Sequence, residues 1–173
     1  YSENRLISYF KSHINRQKMI RKVYQVRVAA PKEKCADIML GLSDISTYEQ
    51  WTAVFNPTST YDGSWEKGSK IKFVGTNENG TKSGMVAKIA ANIPNEYVSI
   101  EHYGLFEDDV EITEGPQVES WAGGQENYTF QTDGDTTNII VEVDVTEDHA
   151  TWFDETYPLA LVKLKEVIES RQE

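Results

Sequence analysis

The C-terminal part of the chain constrains the fold most. In "TNIIVEVDV", Ile139, Val141, Val143 and Val145 alternate with Ile140, Glu142 and Asp144. Successive strand side chains point to opposite faces, so this segment has one dry face and one wet face, as antiparallel sheets allow. From about Asp148 to Ser170, Phe153, Tyr157, Leu161, Leu164 and Ile168 then recur at helical spacing. A helix with such a stripe must bury it. The dry face and the helix stripe therefore need each other. Thr146 is placed to cap this helix, Glu147 and Asp148 suit its positive end, and Lys163, Lys165 and Arg171 suit its negative end. Pro158 falls inside it, which predicts a bend near Tyr157, since an interior proline costs about 3 kcal/mol in a straight helix.

Upstream, "IRKVYQVRV" alternates as a half-buried strand, with Tyr24, Val26 and Val28 on one face and Arg21, Gln25 and Arg27 on the other. Pro31 opens a helix over "PKEKCADIML", Glu33 suits its first turn, and Gly41 ends it. "SDISTYEQW" is a second short helix with Ser43 or Asp44 as N-cap. Strands then follow in series. "SKIKFVGTN" turns at Asn79-Gly80 into "SGMVAKIAANI", which stops at Pro94-Asn95 before "EYVSIEHYG". "ENYTFQT" turns through Asp133-Gly134-Asp135 into the last strand. The expected class is α+β: a curved antiparallel sheet of about six or seven strands around a long C-terminal helix, with two short helices after the first strand. This domain is expected over residues 19–173. Residues 1–18 form an N-terminal extension, where Leu6, Ile7, Phe10 and Ile14 mark a possible amphipathic helix.

The segment from Gly104 to Gly124 does not fit a tight hairpin. Hairpin loops need about two to five residues, and this connection is several times longer. It holds six carboxylates, at Glu107, Asp108, Asp109, Glu111, Glu114 and Glu119, and one tryptophan. "GPQVESW" can form a helical turn or two, with Pro116 first, Val118 and Trp121 on one face, and Gly123-Gly124 after it as a hinge. Trp121 is expected to plug the open end of the grip between sheet and helix as part of a movable lid; the alternative is a fixed surface loop with Trp121 simply in the core.

The 173 residues suffice for one domain with a sizeable core. The net charge of −11 is uneven: residues 1–22 carry six basic and one acidic residue, and all the remaining excess is acidic. An acidic body repels phosphate backbones, so nucleic acid is a poor partner, and no apolar run reaches membrane-spanning length. Cys35 is the only cysteine, which excludes an internal disulfide and suggests a reducing, cytoplasmic home; its helical setting suggests a small buried residue. His13, His102 and His149 lie far apart with no partner at ligand spacing, so no metal is expected. No phosphate loop or other cofactor motif is present, and no cofactor is implied.

"YEQWTAVFNPTSTYDGSWEKGSKIKF" combines a tryptophan in the second helix, a proline-containing link and a "GxWxxGxKIxF" approach to a strand. This pattern resembles the START-like (SRPBCC) helix-grip superfamily, and within it the branch named after the activator of the heat-shock-protein ATPase. "GGQENYTFQTDGDTTNIIVEVDV" followed by "WFDETYPLALVKLKEVIE" is similar to the final hairpin and helix of its small bacterial single-domain members. The resemblance spans about residues 20–170. It implies a hydrophobic cavity between sheet and long helix; superfamily members bind lipids, hormones or polyketides, and some are enzymes. It transfers no catalytic set, because this branch has no fixed motif to match.

Candidate cavity residues follow from the two readings together. Trp51, Phe55 and Trp65 flank the start of the strand series and suit a cavity mouth or simple core packing. Phe73, Met85, Phe130, Phe153 and Leu161 are apolar candidates for its walls. Tyr128 and Tyr157 combine a ring with a polar tip and are the best polar anchors. His102, on the face of Val98 and Ile100, is the one catalytic candidate, since its unperturbed pKa lies near neutrality; a structural role is the alternative. Three functions are compatible with this set: binding of a small hydrophobic or amphipathic ligand, a cyclase- or hydratase-type enzyme, and a chaperone-binding interaction module. The first is preferred, because no triad, metal cluster or phosphate loop points to an enzyme.

Overall fold

A computed structural model describes residues 18–171. The element order is β1 (Met19–Val28), α1 (Lys32–Leu40), α2 (Ile45–Thr52), β2 (Thr60–Gly63), β3 (Lys70–Thr76), β4 (Lys82–Ile93), β5 (Tyr97–Glu107), β6 (Val110–Ile112), β7 (Gly124–Asp133) and β8 (Thr136–Thr146). A 3-10 turn (Glu147–His149) and α3 (Ala150–Ser170) complete it. All eight strands form one open antiparallel sheet in the order β1-β8-β7-β5-β4-β3-β2, and β6 pairs with β5 beyond the end of β7. The architecture is α+β of the helix-grip kind. The expected amphipathic helix in residues 1–18 lies outside the described residues but for its last position.

Local chemistry explains the first elements. Pro31 precedes α1, and Gly41 ends it in the left-handed conformation (φ 65°) that glycine adopts without Cβ strain. Asp44 is the N-cap of α2, with its side chain accepting from Ser46 N at 3.0 Å; Ser43 instead donates its hydroxyl to Asp37. In β1, Tyr24, Val26 and Val28 stand opposite Val141, Ile139 and Thr137 of β8, while Arg21 pairs across the outer face with Asp144. The alternation read from both segments is the register observed.

The core lies between this sheet face, α3 and α1. Tyr157, Ala160, Leu161, Leu164, Val167 and Ile168 of α3 are buried with Ile139, Val141 and Val143 of β8 and Met39 of α1. Full burial of each large aliphatic side chain here contributes about 1.5–3 kcal/mol. Cys35 is wholly buried, and burial pushes its thiol pKa up, so it is a core residue.

Three expectations need correction. The sheet has eight strands, because the edge strands β2 and β6 are too short to show an alternation. The long connection is shorter than expected: β5 continues to Glu107, turns at Asp108 (φ 49°) and returns as β6, leaving residues 113–123 as the irregular part. The turn is fastened by Asp108 N donating to Lys82 O at 2.7 Å. Thr146 makes no hydrogen bond to a helix backbone N–H; its hydroxyl meets His149 Nδ1 at 2.8 Å, because a 3-10 turn intervenes before α3.

Candidate functional site

A cavity of about 700 Å³, partly open to solvent, lies between the inner sheet face and the first half of α3. Its walls come from distant parts of the chain. Trp51 and Phe55 reach it from α2 and the turn after it, and Phe73, Met85 and His102 from β3, β4 and β5. Tyr128 stands on β7, Phe153 and Tyr157 on α3, and Trp121 in the 113–123 segment. The structure thus brings nine of the eleven candidate residues to one space.

Phe130 and Leu161 are not on its wall. Phe130 lies opposite Ile139, further along β7 where the sheet packs under α1, and Leu161 lies about one turn beyond Tyr157 on α3. Both fill the closed core beyond the cavity. Trp65 is also core: it packs edge-on against Tyr61 at 5.3 Å and tilted against Phe73 at 5.9 Å.

Aromatic packing fixes the wall geometry. Tyr157 stacks on Tyr24 with centroids 5.2 Å apart, and Phe55 meets it edge-on at 5.0 Å. Trp51 meets Tyr128 edge-on at 6.3 Å and is anchored by Nε1 donating to Met39 O at 2.9 Å. Offset and edge contacts of this kind are the favoured aromatic arrangements.

The residue that sequence reasoning missed is Glu126. It stands on β7 one alternation before Tyr128, and its side chain is only 17% exposed. The Tyr157 hydroxyl donates to Glu126 Oε2, and His102 Nε2 lies 3.3 Å from Glu126 Oε1. A carboxylate only accepts, so Nε2 is the donor of this contact. Nδ1 is buried and finds no hydrogen-bond partner among the described residues. Burial first, and the negative charge of Glu126 second, raise the pKa of both Tyr128 and Tyr157 well above the ordinary phenol range. Both hydroxyls therefore stay protonated. The signal was legible: Glu126, Tyr128 and Phe130 share one strand parity in "ENYTF".

A β-bulge positions His102. Ala87 pairs with His102 and Val86 with Gly104, so Tyr103 is the extra residue on β5. The bulge lets His102 and Leu105 both line the cavity, which a regular strand forbids at that spacing. Next to it, Gly123 N donates to His102 O at 2.8 Å, and Gly124 is already in register opposite His102. The diglycine is thus tied to β5. A Cβ at Gly124 would sit 3.0 Å from Trp121 O, so glycine allows the segment to fold back onto β7. Trp121 lines the cavity while remaining half-exposed, with Nε1 donating to Gln117 O at 2.8 Å; Val118 is the buried anchor of the segment.

No family model and no curated protein matches the chain. Solved structures do match. A protein from Arthrobacter aurescens aligns with a TM-score of 0.64 at 12% identity, covering 92% of this chain and 95% of that one. The Aha1 dimer from Colwellia psychrerythraea aligns at 0.59 and 22% identity, covering 90% and 100%. CalU16 from Micromonospora echinospora aligns at 0.56 and 13% identity, covering 90% and 78%. The likeness is one of fold. At these identities the comparison shows a shared helix-grip frame and nothing finer.

Among the described residues, no group of three or more His, Cys, Asp or Glu side chains could hold a metal, and no helix is long and apolar enough to cross a membrane. Chemically, the cavity offers an apolar, aromatic wall and one compact polar cluster of Glu126, Tyr157, Tyr128 and His102. Walls of this kind can hold an apolar body, and a cluster of this kind a polar group.

Proposed function

We propose that the protein binds a small hydrophobic or amphipathic molecule between the sheet and α3. The observation that carries this reading is the mostly apolar, aromatic-rich cavity with the Glu126 cluster set into its wall. Ligand sites are concave, largely apolar and furnished with a few placed polar groups, and this volume matches that of small-molecule sites. Native mass spectrometry of protein purified from its own host, followed by solvent extraction, tests it. A retained small molecule, or uptake of the neutral dye Nile red by emptied protein, is the expected result. Protein that carries nothing and takes up no apolar probe would overturn it.

A second reading, a cyclase- or hydratase-type enzyme, is favoured by one observation: His102 faces the cavity and contacts a carboxylate at 3.3 Å. An imidazole oriented by a carboxylate is a competent general base for a bound substrate. Incubation of the extracted ligand with wild type and with His102→Ala separates the readings. A ligand that is chemically unchanged by wild-type protein rules out catalysis.

A further inference from the structure

We infer that the guest carries a positively charged nitrogen, as an amphipathic amine or quaternary ammonium does, and that Glu126 receives it. The inference rests on the ligand-binding reading above and narrows it.

Charge is the first reason. No Lys or Arg is among the described residues that line the cavity, which include two carboxylates, Glu126 and Asp144. Asp144 is committed: it accepts from Arg21 at 2.9 and 3.1 Å and from Gln125 N at 2.9 Å. Lys22, on the same sheet face, is held by Asp154 at 3.0 Å and does not reach the wall. Glu126 has a tyrosine hydroxyl and an imidazole as partners, and no guanidinium or ammonium. A carboxylate in an apolar wall with no fixed cation gains most from a guest that brings one, and it repels an anionic guest.

Hydrogen bonding is the second reason. The donors of the cluster are already engaged within it: the Tyr157 hydroxyl and His102 Nε2 both point to Glu126, and the Tyr128 hydroxyl interacts with Glu126 and Tyr157. What remains is acceptor capacity, in the lone pairs of the carboxylate. A guest carboxylate or phosphate would find no free donor there, whereas an ammonium supplies donors or charge. The third reason is the wall itself. Nine aromatic side chains line the cavity, and Tyr128 and Tyr157 flank Glu126 directly. Aromatic faces attract cations, most strongly in desolvated sites.

The test is displacement of bound Nile red by three probes of equal chain length, dodecylamine, dodecanol and dodecanoate, each below its aggregation limit. The amine is expected to displace the dye at a concentration about tenfold or more below that of the alcohol, with dodecanoate weakest. Because the whole chain carries a charge of −11, the series is repeated at raised salt, where general attraction to an acidic surface is screened and a buried contact is not. In Glu126→Gln the ratio of amine to alcohol should fall to near one, although the net charge changes by a single unit. If the dye binds and the three probes displace it equally, or dodecanoate displaces it best, the ammonium proposal is overturned while ligand binding stands. If neither dye nor any probe binds, both are overturned. Should the Gln variant fail to fold, the order of the three probes on wild-type protein still decides.

Discussion

Replacing Tyr157 by Phe keeps the ring and deletes one hydroxyl. The ring's contacts with Tyr24 and Phe55, at 5.2 and 5.0 Å, survive, and the side chain, 1% exposed, leaves no large void. What is lost is the hydrogen bond from the hydroxyl to Glu126. Hydrogen bonds to charged groups contribute about 1.5–3 kcal/mol. Glu126 retains 17% exposure, so cavity water replaces part of the bond, and a loss of about 1.5–2 kcal/mol is expected. A domain of this length loses about 2–4 °C of Tm per kcal/mol, which places the fall at about 3–8 °C. Thermal unfolding followed by circular dichroism measures the shift, and urea titration should show a lower midpoint with an unchanged slope. The same substitution in a Glu126→Gln background should cost only about 0.5–1.5 kcal/mol, because the bond is then to a neutral amide. A Tyr157→Phe protein as stable as wild type, or an equal cost in both backgrounds, would refute the view that this hydroxyl serves a carboxylate.

Three further predictions follow from burial. Tyr48, Tyr128 and Tyr157 are all held above the ordinary phenol value of 10.0, by burial first. Above that pH the unfolded chain holds fewer protons than the folded one, so stability is full below about pH 10 and declines as pH rises further. Tyrosinate absorbance from these residues should appear together with loss of circular dichroism; their ionisation in still-folded protein would contradict the assignment. Cys35, wholly buried with its thiol pKa raised, should react with a thiol reagent only at the rate of unfolding, and fast labelling of native protein would show that it is accessible. Leu164→Ala, at a position with no exposure, should cost about 3 kcal/mol by urea titration, and a loss below about 1 kcal/mol would place the α3 stripe outside the main core.

Much of the fold was legible in the residues because its signals are local. Tyr24, Val26 and Val28 alternate within one strand, Gly41 stops a helix where only positive φ allows the turn, and Asp44 caps the next. Tyr128 and Tyr157 were found as polar tips on apolar faces. β6 was not legible, since three residues at Val110–Ile112 carry no period. Nor was the closed end of the core: Phe130 and Leu161 obey the same alternation and stripe as Tyr128 and Tyr157, and only their distance along strand and helix separates core from cavity.

The α+β class, the order of the longer elements and the faces of their regular stretches were determined by the sequence alone, because periodicity and capping act within a few residues. The tertiary structure decided which faces meet. It set Glu126 of β7 beside Tyr157 of α3 and His102 of β5, through the pairing of three chain segments and one bulge at Tyr103. Cross-strand register and helix docking are long-range choices made by the whole core, so the meeting of Glu126 with Tyr157 and His102 became visible only when the chain was folded.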